Sequence, residues 1–418
     1  MRFILMLVLA ALPLAAQHDM STMTDADMKN MPGMKHEEQK TMEASGTSAN
    51  PASSPMAMIH LDTHRWMLMF HGVVYLTDIQ QTGPRGGDKF AAMNWFMAEA
   101  EHPLHGGTFA IRTMFSLDPA TVTGREYPEL LQTGETAFGK PIVDGQHPHN
   151  FVMEAALDYA HPLGPNAAWE VYAAPVGDPA LGPVAFPHRV SAAELPQATL
   201  GHHLEDSTHI SYDVVTAGLT YRIFHLETSG FHGAEPGESR WNIGYGAVDS
   251  WSARLVVAPA ANWSAQVSVG HLTHPEALEL GDQNRISASA TYNRPYTGGN
   301  WATSFIWGRV HKLGVYPSIN KADLNGYTLE SVARFRSLNY VTGRLEVVDK
   351  DELPLAGQFR VGAYTAGYTR DFNMGPRIAA GLGMNFTSYN MAAALHQIYG
   401  ARPVAVLVFV RFKLRDAS

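Results

Sequence analysis

Between Leu324 and Phe372, apolar and polar residues alternate with a period of two through three successive segments. In the first, Tyr327, Leu329, Ala333 and Phe335 share one parity, and Thr328, Glu330, Arg334 and Arg336 share the other. After a Ser337-Leu338-Asn339 turn, Val341, Leu345 and Val347 alternate with Thr342, Arg344 and Glu346. In the third, Phe359, Val361 and Ala363 read as the apolar parity, against Gln358, Arg360, Tyr364, Tyr368 and Arg370. Successive side chains of a strand point to opposite faces, so each segment predicts a strand with one apolar and one charged face. Two architectures use that pattern. A soluble sandwich puts the charges in water around a dry core. A membrane barrel turns the apolar face to lipid and the polar face inward.

The rest of the chain separates them. Sixteen such segments are readable: 66–81, 89–101, 107–117, 151–161, 167–176, 210–222, 224–233, 251–258, 263–273, 285–296, 301–312, 326–337, 339–349, 358–372, 377–389 and 402–414. Most reach the roughly 9 to 11 residues that a tilted strand needs to cross a bilayer. The alternation is clean where Ile286, Ala288, Ala290 and Tyr292 oppose Arg285, Ser287, Ser289, Thr291 and Asn293. It is clean again where Val404, Val406, Val408, Val410 and Phe412 oppose Arg411 and Lys413. Connections alternate between tight turns and long loops, the longest being 118–150 and 177–209. Loops sorted by parity onto one rim are a barrel feature that a sandwich has no reason to show. Trp66, Trp251, Trp263, Trp301, Tyr296, Tyr340 and Tyr389 fall near strand ends, as interfacial girdles require.

On this architecture the span 64–414 resembles bacterial porin-like outer-membrane proteins. The resemblance implies an all-β fold: a transmembrane antiparallel up-and-down barrel of about sixteen strands with long loops on one rim. It also implies outer-membrane lipids and the barrel-assembly machinery as partners, and a homotrimer, since porins are often trimers.

Composition adds compartment. Met1 to Ala16 has the shape of a secretory signal: Arg2, an apolar run from Phe3 to Leu12, then Pro13-Leu14-Ala15-Ala16. No other apolar run approaches the roughly 18 residues of a membrane helix. The expected domains are therefore 1–16 signal, 17–60 disordered Met/His-rich periplasmic tail, and 61–418 barrel. The chain has no cysteine, which excludes disulfides, thiolate metal sites and a lipidated cysteine. The net charge of −9 gives nucleic-acid binding no support.

Candidate chemistry lies in three places. The tail carries Met20, Met23, Met28, Met31, Met34, Met42, Met56 and Met58 with His18, His36 and His60. Thioether is a soft ligand suited to Cu(I). The long loops carry Gln146-His147-Pro148-His149-Asn150, His188, and the run His202, His203, Glu205, Asp206, His209. Imidazole with carboxylate suits Cu(II), Zn(II) or Ni(II). The competing account is a hydrogen-bonded plug with no metal. These two loops also resemble an uncharacterised outer-membrane family associated with heavy-metal resistance. Third, Glu330, Arg334, Arg336, Arg344, Glu346, Arg360 and Arg370 have lumen-facing parity, and charged rings tune pores.

The resulting expectation is a non-enzymatic channel for small solutes or metal ions. It needs no cofactor, copper or zinc being its candidate ions, and the histidine loops constrict its pore. Two alternatives stand beside it. His209 and Ser211, with Asp213 on the same parity, could form the activated nucleophile of a lipid hydrolase. The barrel could also be a non-conducting structural or adhesive one.

Overall fold

The computed structural model describes residues 41–55, 57–63, 65–314 and 322–415. The signal and most of the tail, including Met20, Met23, Met28, Met31, Met34 and His36, lie outside the described residues. In chain order the strands are β1 (Thr41–Glu43), β2 (Ala49–Pro51), β3 (Met58–Asp62), β4 (Met67–Gln81), β5 (Asp88–Leu104), β6 (Gly107–Phe115), β7 (Tyr127–Ala137), β8 (Lys140–Gln146), β9 (Val152–Gly164), β10 (Ala167–Gly177) and β11 (Ser211–Tyr221). They continue as β12 (Phe224–His232), β13 (Ser250–Val257), β14 (Trp263–Leu272), β15 (Gln283–Tyr296), β16 (Gly299–Lys312), β17 (Ala322–Phe335), β18 (Asn339–Lys350), β19 (Phe359–Asn373), β20 (Ile378–Asn390) and β21 (Val404–Leu414).

Sixteen of these, β4–β6 and β9–β21, form one closed antiparallel barrel. Each corresponds to one of the sixteen segments read from the sequence. Closure runs from Ala405 opposite Gln81 to Lys413 opposite Val73. The short β3 pairs with the remaining length of β4, Met58 lying opposite His71. Closure satisfies every strand edge, which is what lets a sheet lie in lipid.

Directly paired residues share a face, so the register displays the two surfaces row by row. Ala290, Phe305, Leu329, Leu345 and Tyr364 are successive cross-strand partners, and they point outward. Phe305 is 49%, Leu329 45% and Leu345 52% exposed. One residue along, Thr291, Ser304, Glu330, Arg344 and Thr365 are successive partners, and all are buried inside. An apolar exterior around a charged interior is the membrane-barrel arrangement. Trp263, Tyr292 and Trp301 pack together on the outside near the short turns, at 4.7 and 5.6 Å between ring centroids. Tyr340 departs from the girdle expectation: it is buried inside beneath Lys413.

Four further departures matter. Residues 41–60, expected in the disordered tail, include a structured lumenal segment: β1 pairs with β2, and the segment from Ala44 to Ser54 is largely buried. Ser45 donates to Asp178, Arg112 to the Gly46 carbonyl (2.6 Å) and Arg254 to Thr47. Polar interior walls hold this polar segment by hydrogen bonds. The connecting turn needs Gly46, because a Cβ there would lie 2.4 Å from the Asp178 carbonyl oxygen. Second, the 118–150 loop is not irregular: it contains the short helix α1 (Asp118–Thr121) and the β7–β8 hairpin. Third, β19 faces the other way from its sequence reading. Val361, Ala363, Thr365, Thr369 and Asp371 are buried inside, whereas Arg360, Tyr364, Tyr368 and Arg370 are exposed. Glu346 sits opposite Ala363, and the neighbouring strand sets the parity. Fourth, Arg336 lies in the turn after β17 with φ 48°, exposed and away from the lumen.

Candidate functional site

The 178–210 loop leaves β10 and returns at β11, yet its partners lie on the inward faces of distant strands. Gly182 N donates to Ser268 on β14, and Arg285 on β15 donates to Ser207. Ser191 Oγ lies 2.7 Å from Ser304 Oγ on β16, and Arg189 Nε donates to Glu330 on β17 at 2.6 Å. Arg344 on β18 donates to the Ala198 carbonyl, and Asn385 on β20 to the Glu194 carbonyl. Arg411 on β21 pairs with Glu194. The loop therefore folds into the lumen and is tied around much of the wall. A barrel of this strand number would otherwise leave an aqueous channel.

The 116–151 loop packs against it. Gln132 donates to Gln146 within its own hairpin and to the Thr199 carbonyl of the other loop, while Lys350 on the wall donates to Gln132 at 2.7 Å. Leu130, Leu131 and Leu200 share an apolar cluster with Val348 and Tyr399. The two loops make one plug.

Histidines from both loops meet inside that plug. The short helix α2 (His202–Glu205) sets His202 one turn before Asp206. Ring centroids follow in sequence: His203 to His147 5.6 Å, His147 to His202 6.0 Å, His202 to His209 5.3 Å, and His209 to His149 5.8 Å. Phe186 covers His202 and His149. On four rings an oxygen engages Nδ1. His202 meets Asp206 Oδ1 at 2.6 Å and His149 meets Asp118 Oδ2 at 2.9 Å. His209 meets the Asp206 carbonyl at 3.0 Å and His147 the Pro148 carbonyl at 3.1 Å. A carboxylate or carbonyl on Nδ1 fixes the proton there and leaves Nε2 as the free acceptor.

The Nε2 atoms of His147, His203 and His209 are buried without a hydrogen-bond partner among the described residues. Glu135 Oε1 lies 2.9 Å from His147 Nε2 but lacks hydrogen-bonding geometry. Leaving such atoms unsatisfied costs about 1–3 kcal/mol each, so the cluster is not explained by packing alone. Burial lowers the His147 ring below the usual histidine range and the His203 ring well below it. Burial also takes His202 down to about 4, against the opposing pull of Asp206. It takes His209 down to about 3, the neighbouring His202 adding to the shift. Burial would raise the Asp206 carboxyl, but its hydrogen bond to His202 and the charges of His202 and Arg189 hold it low. At neutral pH His147, His202, His203 and His209 are therefore uncharged imidazoles beside ionised Asp206.

Of the residues read from the sequence, His147, His149, His202, His203, Asp206 and His209 are brought together. His188 packs its ring 4.3 Å from Trp95, near enough to His209 and His149 to feel their charge, and its Nε2 is also buried without a partner among the described residues. Glu330, Arg344 and Glu346 face inward, as expected, but they bind the plug instead of lining open water: Glu346 accepts from Leu200 N. Arg334 ends its strand, donating to the Ser337 carbonyl. Arg360 and Arg370 are on the outer face, as described above. The hydrolase pairing is not formed. His209 lies in a short 3-10 turn before β11 and faces His202, while Ser211 Oγ donates to the Thr208 carbonyl. Asp118, Glu135, Phe186 and Arg189 were missed. They carry no spacing signal, being recruited by tertiary contact.

No family model and no curated protein matches this chain, so the heavy-metal-resistance resemblance of the loops gains no support there. Solved structures do match. An anion-selective porin from Comamonas acidovorans aligns with TM-score 0.52 at 11% identity, covering 83% of this chain and 99% of its own. Salmonella typhi OmpF, in complex with daunomycin, aligns with TM-score 0.52 at 9% identity, covering 85% and 100%. At such identities the likeness is one of fold.

Proposed function

We propose that this chain is a porin-like outer-membrane channel whose lumen is strongly constricted by histidine-bearing loops, and that it takes part in handling transition-metal ions. The observation that carries the reading is the plug: two loops folded inward, the longer anchored to the wall by the buried Arg189–Glu330 and Glu194–Arg411 pairs, and together bearing five histidines in ring-to-ring sequence. The fold shared with porins supports the channel, and the outward apolar face supports the membrane. The leader at Met1–Ala16 would deliver the chain across the inner membrane, with the methionine-rich residues 17–40 on the periplasmic side as soft ligands for Cu(I). Diffusion past the plug, between charged walls, is the proposed mechanism.

A second reading is favoured by how completely the plug is bonded to the wall: a barrel that does not conduct. Planar-bilayer recordings separate the two. The channel reading expects small, defined current steps from refolded protein. Micromolar Zn2+ should reduce them in the wild type but not in a His202→Ala, His203→Ala double variant. Silence from both proteins would favour the structural barrel.

A further inference from the structure

We infer that His147, His202 and His203 form a binding site for one divalent transition-metal ion of borderline softness, of the Zn2+ and Cu2+ class. The inference rests on the plug being held as described, and it deepens the proposed function by naming donors and ion class. One ring nitrogen from each of the three histidines lies within 4.8 Å of those of the other two. Bonds of about 2.1 Å in a tetrahedral site place donor atoms roughly 3.4 Å apart, so each pair of donors need draw together by no more than about 1.4 Å.

The donor chemistry is selective. Nδ1 of His147 and of His202 is already engaged by oxygen, which leaves Nε2 to bind the ion. His203 presents a buried Nε2 with no partner among the described residues, and its Nδ1 stands 3.9 Å from Glu235. Asp206 and the Pro148 carbonyl orient the two engaged ligands from behind, as outer partners do in histidine metal sites. Glu135, next to His147 Nε2, is the carboxylate placed to supply a fourth ligand. Neutral nitrogens with a carboxylate favour Zn2+, Cu2+ or Ni2+ over the thioether-preferring Cu(I). The ion therefore differs from the one suited to the methionines of the tail.

The structure also offers an approach. A cavity of about 30 Å³ borders His203 and Gly134 on one side and Glu276, Lys312 and Glu352 on the other. It has room for a water-sized species. Gly134 allows the His203 ring to sit there, since a Cβ at that position would lie 2.4 Å from Cδ2 of the ring. The carboxylates of Glu279, Asp351 and Glu352 gather on Lys312, whose single positive charge offsets part of theirs. Asp351 and Glu352, with Glu276, line the mouth of the approach.

Co2+ titration of the refolded full chain in detergent tests the inference, because tetrahedral Co2+ has strong visible bands. The expected result is one Co2+ per chain, displaced by Zn2+, in the wild type and in His188→Gln. His147→Gln and His203→Gln, each checked for heat-modifiable gel migration, should weaken binding at least 10- to 100-fold. Wild-type protein that binds no Co2+, or binding unchanged in both variants, would overturn the site. The readout needs no current. A barrel that binds but never conducts removes the channel reading alone, and one that conducts without binding removes the site alone.

Discussion

Glu330→Ala is expected to unseat the plug while leaving the barrel wall closed. Glu330 is fully buried and accepts from three directions: Arg189 Nε at 2.6 Å, Ser191 Oγ at 2.7 Å and Arg344 Nε at 3.0 Å. Arg189 belongs to the loop, and Arg344 to the wall. Removing the carboxylate leaves the Arg344 guanidinium buried beside Arg189 without the anion between them, and Arg189 keeps only Asp206, at 3.1 Å. Deleting one partner of a buried ion pair costs about 3–5 kcal/mol, because the remaining charge is uncompensated. The loop can relieve that cost by leaving the lumen, whereas the strand ladder from Glu330 to its partners is untouched. Current steps in the variant should therefore be several-fold larger than in the wild type, and trypsin should cut after Arg189. Unchanged conductance and protease resistance would mean that the loop is held elsewhere.

Leu345→Arg should have the next largest effect, on insertion and stability. Leu345 points outward near the middle of β18, flanked in its row by Leu329 and Tyr364. A cationic side chain at the bilayer midplane of a barrel costs about 2–4 kcal/mol, falling to about 0–1 near the interfaces. The chain itself obeys that depth rule. Its outward arginines on β19, Arg360 and Arg370, are near the strand ends, where Arg360 bonds Asp349 at 2.9 Å and Arg370 bonds Asn339 at 3.2 Å. Urea unfolding from liposomes measures the loss. In a soluble protein the same exposed leucine would tolerate arginine with little change.

That contrast also shows what the sequence could and could not reveal. Strands whose inner face is plainly polar, such as β15 with Arg285, Ser287, Thr291 and Asn293, were legible in position and in face. β19 was legible in position only. Its inner face includes Val361 and Ala363, which look apolar, and its outer face includes Tyr364 and Tyr368, which look polar. Parity there is decided by pairing with Glu346 and Arg344, which is a tertiary fact. Residues 44–54 lack the apolar content of a core and read as disordered. They are ordered because their partners, Asp178, Glu154 and Arg254, are wall and loop groups that a composition argument does not see. The histidine cluster was legible as two loops rich in one residue type. Its convergence was not, since it depends on the clamp between Gln132, Thr199 and Lys350. The His209–Ser211 pairing failed for a local reason: a 3-10 turn holds His209 just outside the strand on which period two would apply.

The outward apolar face is the foundation of the account, and the absence of cysteine makes it directly measurable. A nitroxide attached through Leu345→Cys, in protein refolded into liposomes, can be compared with one attached through Tyr245→Cys, an exposed position in the 233–249 loop. The account predicts that the label at 345 is relaxed strongly by oxygen and hardly at all by a water-soluble nickel chelate, with the reverse at 245. A label at 345 as open to the nickel chelate as the one at 245 would contradict it.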